Sequence, residues 1–185
     1  MKIIAGSDEV GRGCFAGPLV AAAVIIDSSS AHLKEFQGRD SKQLSAKQRQ
    51  ALSNIIVESY HCSLGVAEVK EIDLLGLTLA NQLAIFRAVK GLKIKADIVL
   101  VDGNLKFSLA PYFSIIRGDK MVESISSASI IAKVYRDKIM QQLHLKFPVY
   151  NWHQNKGYGT LEHRKAMLLH GLSDYHRRTF ACKDF

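Results

Sequence analysis

The feature that most narrows the possible folds is LVAAAVII at residues 19–26, the longest apolar stretch in the chain. It is far shorter than the roughly 20 residues a membrane-spanning helix needs, and its β-branched ends suit a strand. Alternating or β-branched segments at residues 2–9, 62–69, 98–101 and 112–116 predict further strands, and the first three in chain order can pair as a meander. Ser45 followed by Gln48 forms a capping-box pattern, after which Leu52, Ile55, Ile56 and Tyr60 recur at helical spacing. Ile72, Leu75, Leu79, Leu83, Phe86 and Val89 predict one amphipathic helix feeding the strand that ends IVLVDG. Ile125, Ala128, Ala132, Tyr135, Ile139 and Leu143 continue as a long helix that Pro148 must stop or follow. A last helix is expected from Thr160 to Gly171.

This pattern implies an α/β fold with a mixed central sheet flanked by helices and a C-terminal helical segment. No internal repeat or low-complexity linker divides the 185 residues, so one domain over residues 1–185 is expected. Asp8 and Glu9 interrupt what would have to be the apolar core of a secretory leader, which points to the cytoplasm. Cys14, Cys62 and Cys182 are odd in number and contain no C-x-x-C pair, against a disulfide framework or thiolate zinc site. The net charge of +8 suits a polyanionic partner and gives no reason to expect a membrane.

Four acids stand apart from those on helix faces. Asp8 and Glu9 close the first strand, Asp102 sits at a strand's carboxyl end in VDGN, and Asp119 lies in RGDK. Taken singly, each acid also reads as a cap or a solvated turn residue. Together, oxygen donors converging from strand ends suit hard cations such as Mg²⁺ or Mn²⁺. Two such ions about 4 Å apart can clamp a phosphodiester for attack by water. Consecutive strand residues point to opposite faces, so either the strand breaks at Gly11 and Gly13 or one of Asp8 and Glu9 works at a distance.

The blocks DEVGRG with AGPLVAAAVI, DSKQLS, EID, VLVDG, GD followed by SASIIAKVYRD, KGYGTLEH and HRRTF occur in one order over nearly the whole chain. In this the sequence resembles the type 2 ribonucleases H (ribonuclease HII). The resemblance implies the ribonuclease H-like fold and divalent-metal cleavage of the RNA strand of RNA/DNA hybrids, including a lone ribonucleotide in duplex DNA. The products carry a 3′-hydroxyl and a 5′-phosphate. It implies that Asp8, Glu9, Asp102 and Asp119 are the metal-binding catalytic acids. Gly11, Arg12 and Gly13 fall on the element that approaches the ribose 2′-hydroxyl, and Tyr158 on the tyrosine that packs on the sugar at the RNA-to-DNA junction.

Ser41 and Lys42 match a substrate-contacting turn. His163, Arg164, Lys165, His176, Arg177 and Arg178 give the C-terminal part a basic character suited to the DNA backbone. Met121 stands where relatives carry Lys in Gly-Asp-x-Lys, with Lys120 one residue earlier, and Gly76 and Asn81 replace the usual Asn and Thr. The first acid at position 8 leaves no room for the longer N-terminal domain of type 3 relatives, and the end of the chain carries no evident sliding-clamp peptide. A monomeric, single-domain enzyme is the expectation. A catalytically silent nucleic-acid-binding protein and a structure-specific DNA nuclease of the same fold are the alternatives.

Overall fold

The computed structural model describes residues 2–26, 44–108 and 111–179. Five strands, β1 (Ile4–Val10), β2 (Leu19–Ile25), β3 (His61–Ala67), β4 (Ile98–Asp102) and β5 (Tyr112–Ile115), form one sheet in the order β3-β2-β1-β4-β5. The first three pair antiparallel as the expected meander, whereas β4 joins β1 and β5 joins β4 in parallel. The helices are α1 (Ala46–Ser59), α2 (Val69–Leu75), α3 (Leu77–Lys90), α4 (Glu123–Lys146), α5 (Trp152–Asn155) and α6 (Leu161–His170). None of the described helices is long and apolar enough to cross a membrane.

Every residue of β2 is buried, so the strand serves two cores at once. Leu19, Ala21, Ala23 and Ile25 face α3, where Ala80, Ala84, Ile85 and Ala88 meet them. Val20, Ala22 and Val24 face the opposite layer, against Leu52 and Ile56 of α1 and Ala128, Ile131 and Ala132 of α4. A third cluster of Ala16, Met140, Leu143, Tyr150, Trp152 and Met167 fastens the C-terminal helices to the end of α4. The Ser45 capping box forms with Gln48, and α6 starts from a Thr160 side-chain cap and ends at Gly171, as the sequence predicts.

The single helix expected from Ile72 to Val89 is instead two. Gly76, at φ 76°, ends α2 through its amide to the Ile72 carbonyl and opens α3 by accepting from the Ala80 amide. The buried face is also not the one marked by the large apolar residues, because Leu75, Leu79 and Phe86 are exposed. The reason lies in β3. A Cβ on Gly65 would collide with the Ala84 carbonyl and the Ala88 amide, so α3 rides directly on the strand and only small side chains fit between them. Gly65→Ala is therefore expected to cost at least about 2 kcal/mol of stability, read as a lowered urea midpoint.

Candidate active site

The site originates where the sheet comes apart. Pairing of β1 with β4 runs from Ile4–Ile98 to Ser7–Val101 and then stops, while β1 stays paired with β2 as far as Val10. Beyond Ser7 and Val101 the carboxyl ends of two parallel strands thus open onto a cleft, the usual place for a site in such sheets. Asp8, Glu9 and Asp102 line it together with Asp119, Val10, Ser129, Lys133 and Tyr158, around a volume of about 430 Å³. The strand does not break between the two adjacent acids, which both belong to β1. Asp8 lies on the α4 side with Gly6, and Glu9 on the α3 side. Both reach the cleft because β1 has lost its neighbour there.

Asp119 arrives from a separate turn. Arg117 takes a left-handed conformation at φ 58°, Gly118 packs against Ile125, and the Asp119 amide donates to Asp102 Oδ1 at 3.3 Å. Asp8 is only 9% exposed and receives the Glu9 amide at 2.7 Å. Burial, then the negative charges of Glu9, Asp102 and Asp119, hold its carboxyl well above the usual range despite that hydrogen bond. Burial also raises Glu9, opposed chiefly by the Arg12 guanidinium. Asn81 of α3 is completely buried and has no partner at conventional hydrogen-bond geometry, yet its amide lies near enough to Glu9 to favour the charged carboxylate. Sequence reasoning noted Asn81 only as a departure; its position facing Glu9 depends on which face of α3 is buried.

Residues 11–18 follow directly on β1 and are clasped by the C-terminal segment that carries Tyr158. Phe15 and Ala16 amides donate to the Gly157 carbonyl, the Gly17 amide to Tyr175, and the Arg177 amide to Phe15. Two completely buried guanidiniums complete the clasp. Arg136 donates to the carbonyls of Pro18, Lys156 and Ala16 at 2.9, 2.8 and 3.0 Å, and Arg177 to those of Gly17 and Arg12 at 2.9 and 3.0 Å. Gly11, at φ 92°, leaves no room for a side chain against Arg136, whereas Arg12 and Gly13 stay exposed. Tyr158 is 42% exposed at the cleft and is bridged through its backbone to Cys14.

These contacts correct part of the expected nucleic-acid surface. Arg177, His163 and His176 are buried and bonded within the protein, so they cannot meet a phosphate directly. His163 Nδ1 lies 2.9 Å from the Tyr158 carbonyl, which can only accept, so this nitrogen carries the proton. His176 Nδ1 accepts from the Ser173 amide at 3.0 Å, leaving its Nε2–H to donate to His163 Nε2 at 3.1 Å. Trp152 Nε1 donates to the same His163 nitrogen. Arg164, Lys165 and Arg178 are exposed, with Arg164 over the Phe15 ring and donating to the Gly159 carbonyl. Lys120 and Met121 are exposed as well, and neither lines the cleft among the described residues. Ser41 and Lys42 lie outside the described residues.

The sheet order and the acid-lined cleft define a ribonuclease H-like α/β protein. The family model described as Ribonuclease HII matches residues 5–183. Ribonuclease HII of Orientia tsutsugamushi (strain Boryong) is 48% identical over 182 residues, covering 98% of this chain and 87% of that relative. Among solved structures, ribonuclease H2 from Pyrococcus horikoshii OT3 is 28% identical with a TM-score of 0.77, covering 98% of this chain and 96% of that one. Bst-RNase HIII in complex with Mn²⁺ shares the fold at a TM-score of 0.70 and 18% identity, over 91% of this chain and 70% of that one. The chain belongs to the ribonuclease HII family and is a type 2 ribonuclease H, an endoribonuclease.

Two predictions follow the geometry of the clasp. Arg136→Met leaves three carbonyls without their donor and is expected to lower unfolding free energy by roughly 3 kcal/mol or more in urea titration. Burial pulls His163 down and His176 to about 4, so both imidazoles fold neutral. Their contribution is complete above the unfolded value of about 6.5 and is lost as pH falls from there toward 4. Raised carboxyls such as Asp8 act in the opposite sense, since the folded state takes up their proton more readily. The difference in unfolding free energy between wild type and His176→Gln, from urea titration, therefore isolates the imidazole share: it should shrink as pH falls through this window, at up to about 1.4 kcal/mol per pH unit.

Proposed function

We propose that this protein hydrolyses the RNA strand of RNA/DNA hybrids and incises at single ribonucleotides in duplex DNA, leaving 3′-hydroxyl and 5′-phosphate ends. In this reading it works in the cytoplasm as a monomer with a single catalytic domain over residues 1–185, using Mg²⁺ or Mn²⁺. The observation that carries the reading is the meeting of Asp8, Glu9, Asp102 and Asp119 in one cleft that Tyr158 also lines.

The donor set fits a hard divalent cation. It offers carboxylate oxygens without histidine or cysteine, and the fold keeps Asp8 buried among three like charges, a cost that a cation offsets. Among the described residues no three His, Cys, Asp or Glu side chains already form a closed metal-binding group. The acids would draw together around a cation. Such cations, when bound, would stabilise charge on the scissile phosphate and ease deprotonation of the attacking water.

Asp8 and Asp102 would hold the central positions, with Glu9 and Asp119 completing the set. Gly11, Arg12 and Gly13 would present backbone groups to the 2′-hydroxyl, and the exposed Tyr158 ring would pack on the sugar. The buried arginines fix the separation between these two readers, because Arg177 holds the Arg12 carbonyl and Arg136 that of Lys156. Arg164 would approach the DNA backbone from α6.

The test is incision of a duplex bearing one ribonucleotide, with Mg²⁺ or Mn²⁺ and an all-DNA control. Wild type should cut only the ribonucleotide-bearing duplex, lose activity on chelation and regain it when the metal is restored. Asp102→Asn should fall below about one hundredth of wild type. Equal cutting of the all-DNA duplex would point instead to a DNA nuclease, and salt-sensitive binding without turnover to a silent binder.

A further inference from the structure

We infer that Lys133 binds a backbone phosphate of the cleaved strand and that Asp137 positions it to do so, an assignment that rests on reading the cleft as the phosphodiester site. Lys133 lies on α4, one turn beyond Ser129, and both residues line the cleft with the four acids and Tyr158. Among the described lining residues it is the one with a cationic side chain. Its ammonium is held by Asp137 one turn further along the helix, Nζ to Oδ1 at 2.7 Å, with both side chains mostly buried.

That setting differs from a solvated i, i+4 pair, which contributes only a few tenths of a kcal/mol. The Lys133 side chain is 25% exposed and that of Asp137 18%, so the ammonium has a restricted range beside the cleft. Two further groups feel the charge of Asp137, Lys156 and Tyr158, and Lys156 also feels the cationic Lys133 and Arg136. Asp137 thus holds Lys133 directly and lies within electrostatic reach of Tyr158.

A substrate strand entering this cleft brings phosphate charge toward four carboxylates. Divalent cations can offset that charge at the scissile group, but the neighbouring phosphates need a cation of their own. A compact ammonium with three donors, one of them engaged by Asp137, keeps others available for phosphate oxygens. The position next to Tyr158 places this contact beside the ribose being read, on the strand that is cut.

The experiment uses the full chain and the ribonucleotide-bearing duplex. Lys133→Gln is expected to lower single-turnover cleavage about ten- to a hundredfold, the loss of one hydrogen-bonded charge contact. Lys133→Arg should recover part of it, and Asp137→Asn should give an intermediate loss. Without divalent metal, the slope of log binding constant against log salt should be shallower for Lys133→Gln by about 0.9. A scan of neutral methylphosphonates along the ribonucleotide strand should find one position that impairs wild type but leaves Lys133→Gln no worse. Wild-type cleavage and salt slope in Lys133→Gln, or a scan affecting both proteins alike at every position, would overturn the assignment. Failure of the wild type to incise any ribonucleotide duplex would overturn the parent reading, and is told apart because it needs no Lys133 variant.

Discussion

The site depends on two cations that are buried without a carboxylate salt bridge among the described residues. Arg136 and Arg177 are solvated by protein carbonyls, and five such bonds replace the water each guanidinium gave up. An unpaired buried charge would be prohibitive; a charge ringed by oriented carbonyl dipoles is not. Arg177 Nη2 has no partner among the described residues, so there the arrangement is not fully satisfied. The return is rigidity: residues 12, 16, 17, 18 and 156 are bound from one side by planar groups with fixed donor directions. A glycine at position 11 follows from the same packing, because Arg136 occupies the space of a side chain.

This clasp explains how a small sheet presents two chemistries at one edge. The acids belong to the sheet and come from strand ends or a turn after β5. Arg12, Gly13 and Tyr158, which we assign to the sugar, belong to loops that the sheet alone cannot hold. Arg136, from the middle of α4, ties the loop walls to the same helix whose N-terminal half packs under Gly6 and carries Ser129 and Lys133 into the cleft. One helix therefore sets the distance between the carboxylates and Tyr158.

Much of this was legible in the sequence, and the failures have physical causes. Strand runs, the Ser45 box and the Thr160 cap are local signals, and local signals survived. The four acids were singled out because strand ends and glycine turns are visible in sequence, and the structure brings them to one cleft. The geometry that lets Asp8 and Glu9 share it was not visible, since the end of the β1–β4 pairing is a property of two segments about 90 residues apart. Large apolar residues at helical spacing pointed to the wrong face of α3, because Gly65 on another element selects alanines. His163, His176 and Arg177 looked like surface charge. Their partners, the Tyr158 carbonyl, Ser173 and the carbonyls of Arg12 and Gly17, include groups more than 150 residues distant.

The bridges Cys14 to Tyr158 and Ala16 to His176 join the beginning of the chain to its last described segment. Synthesis delivers the acids of β1 first and the residues that clasp their neighbouring loop last, and a contact of such span forms only after the intervening chain is available. Until those bridges close, the acids at the end of β1 stand beside a loop that nothing yet holds in place.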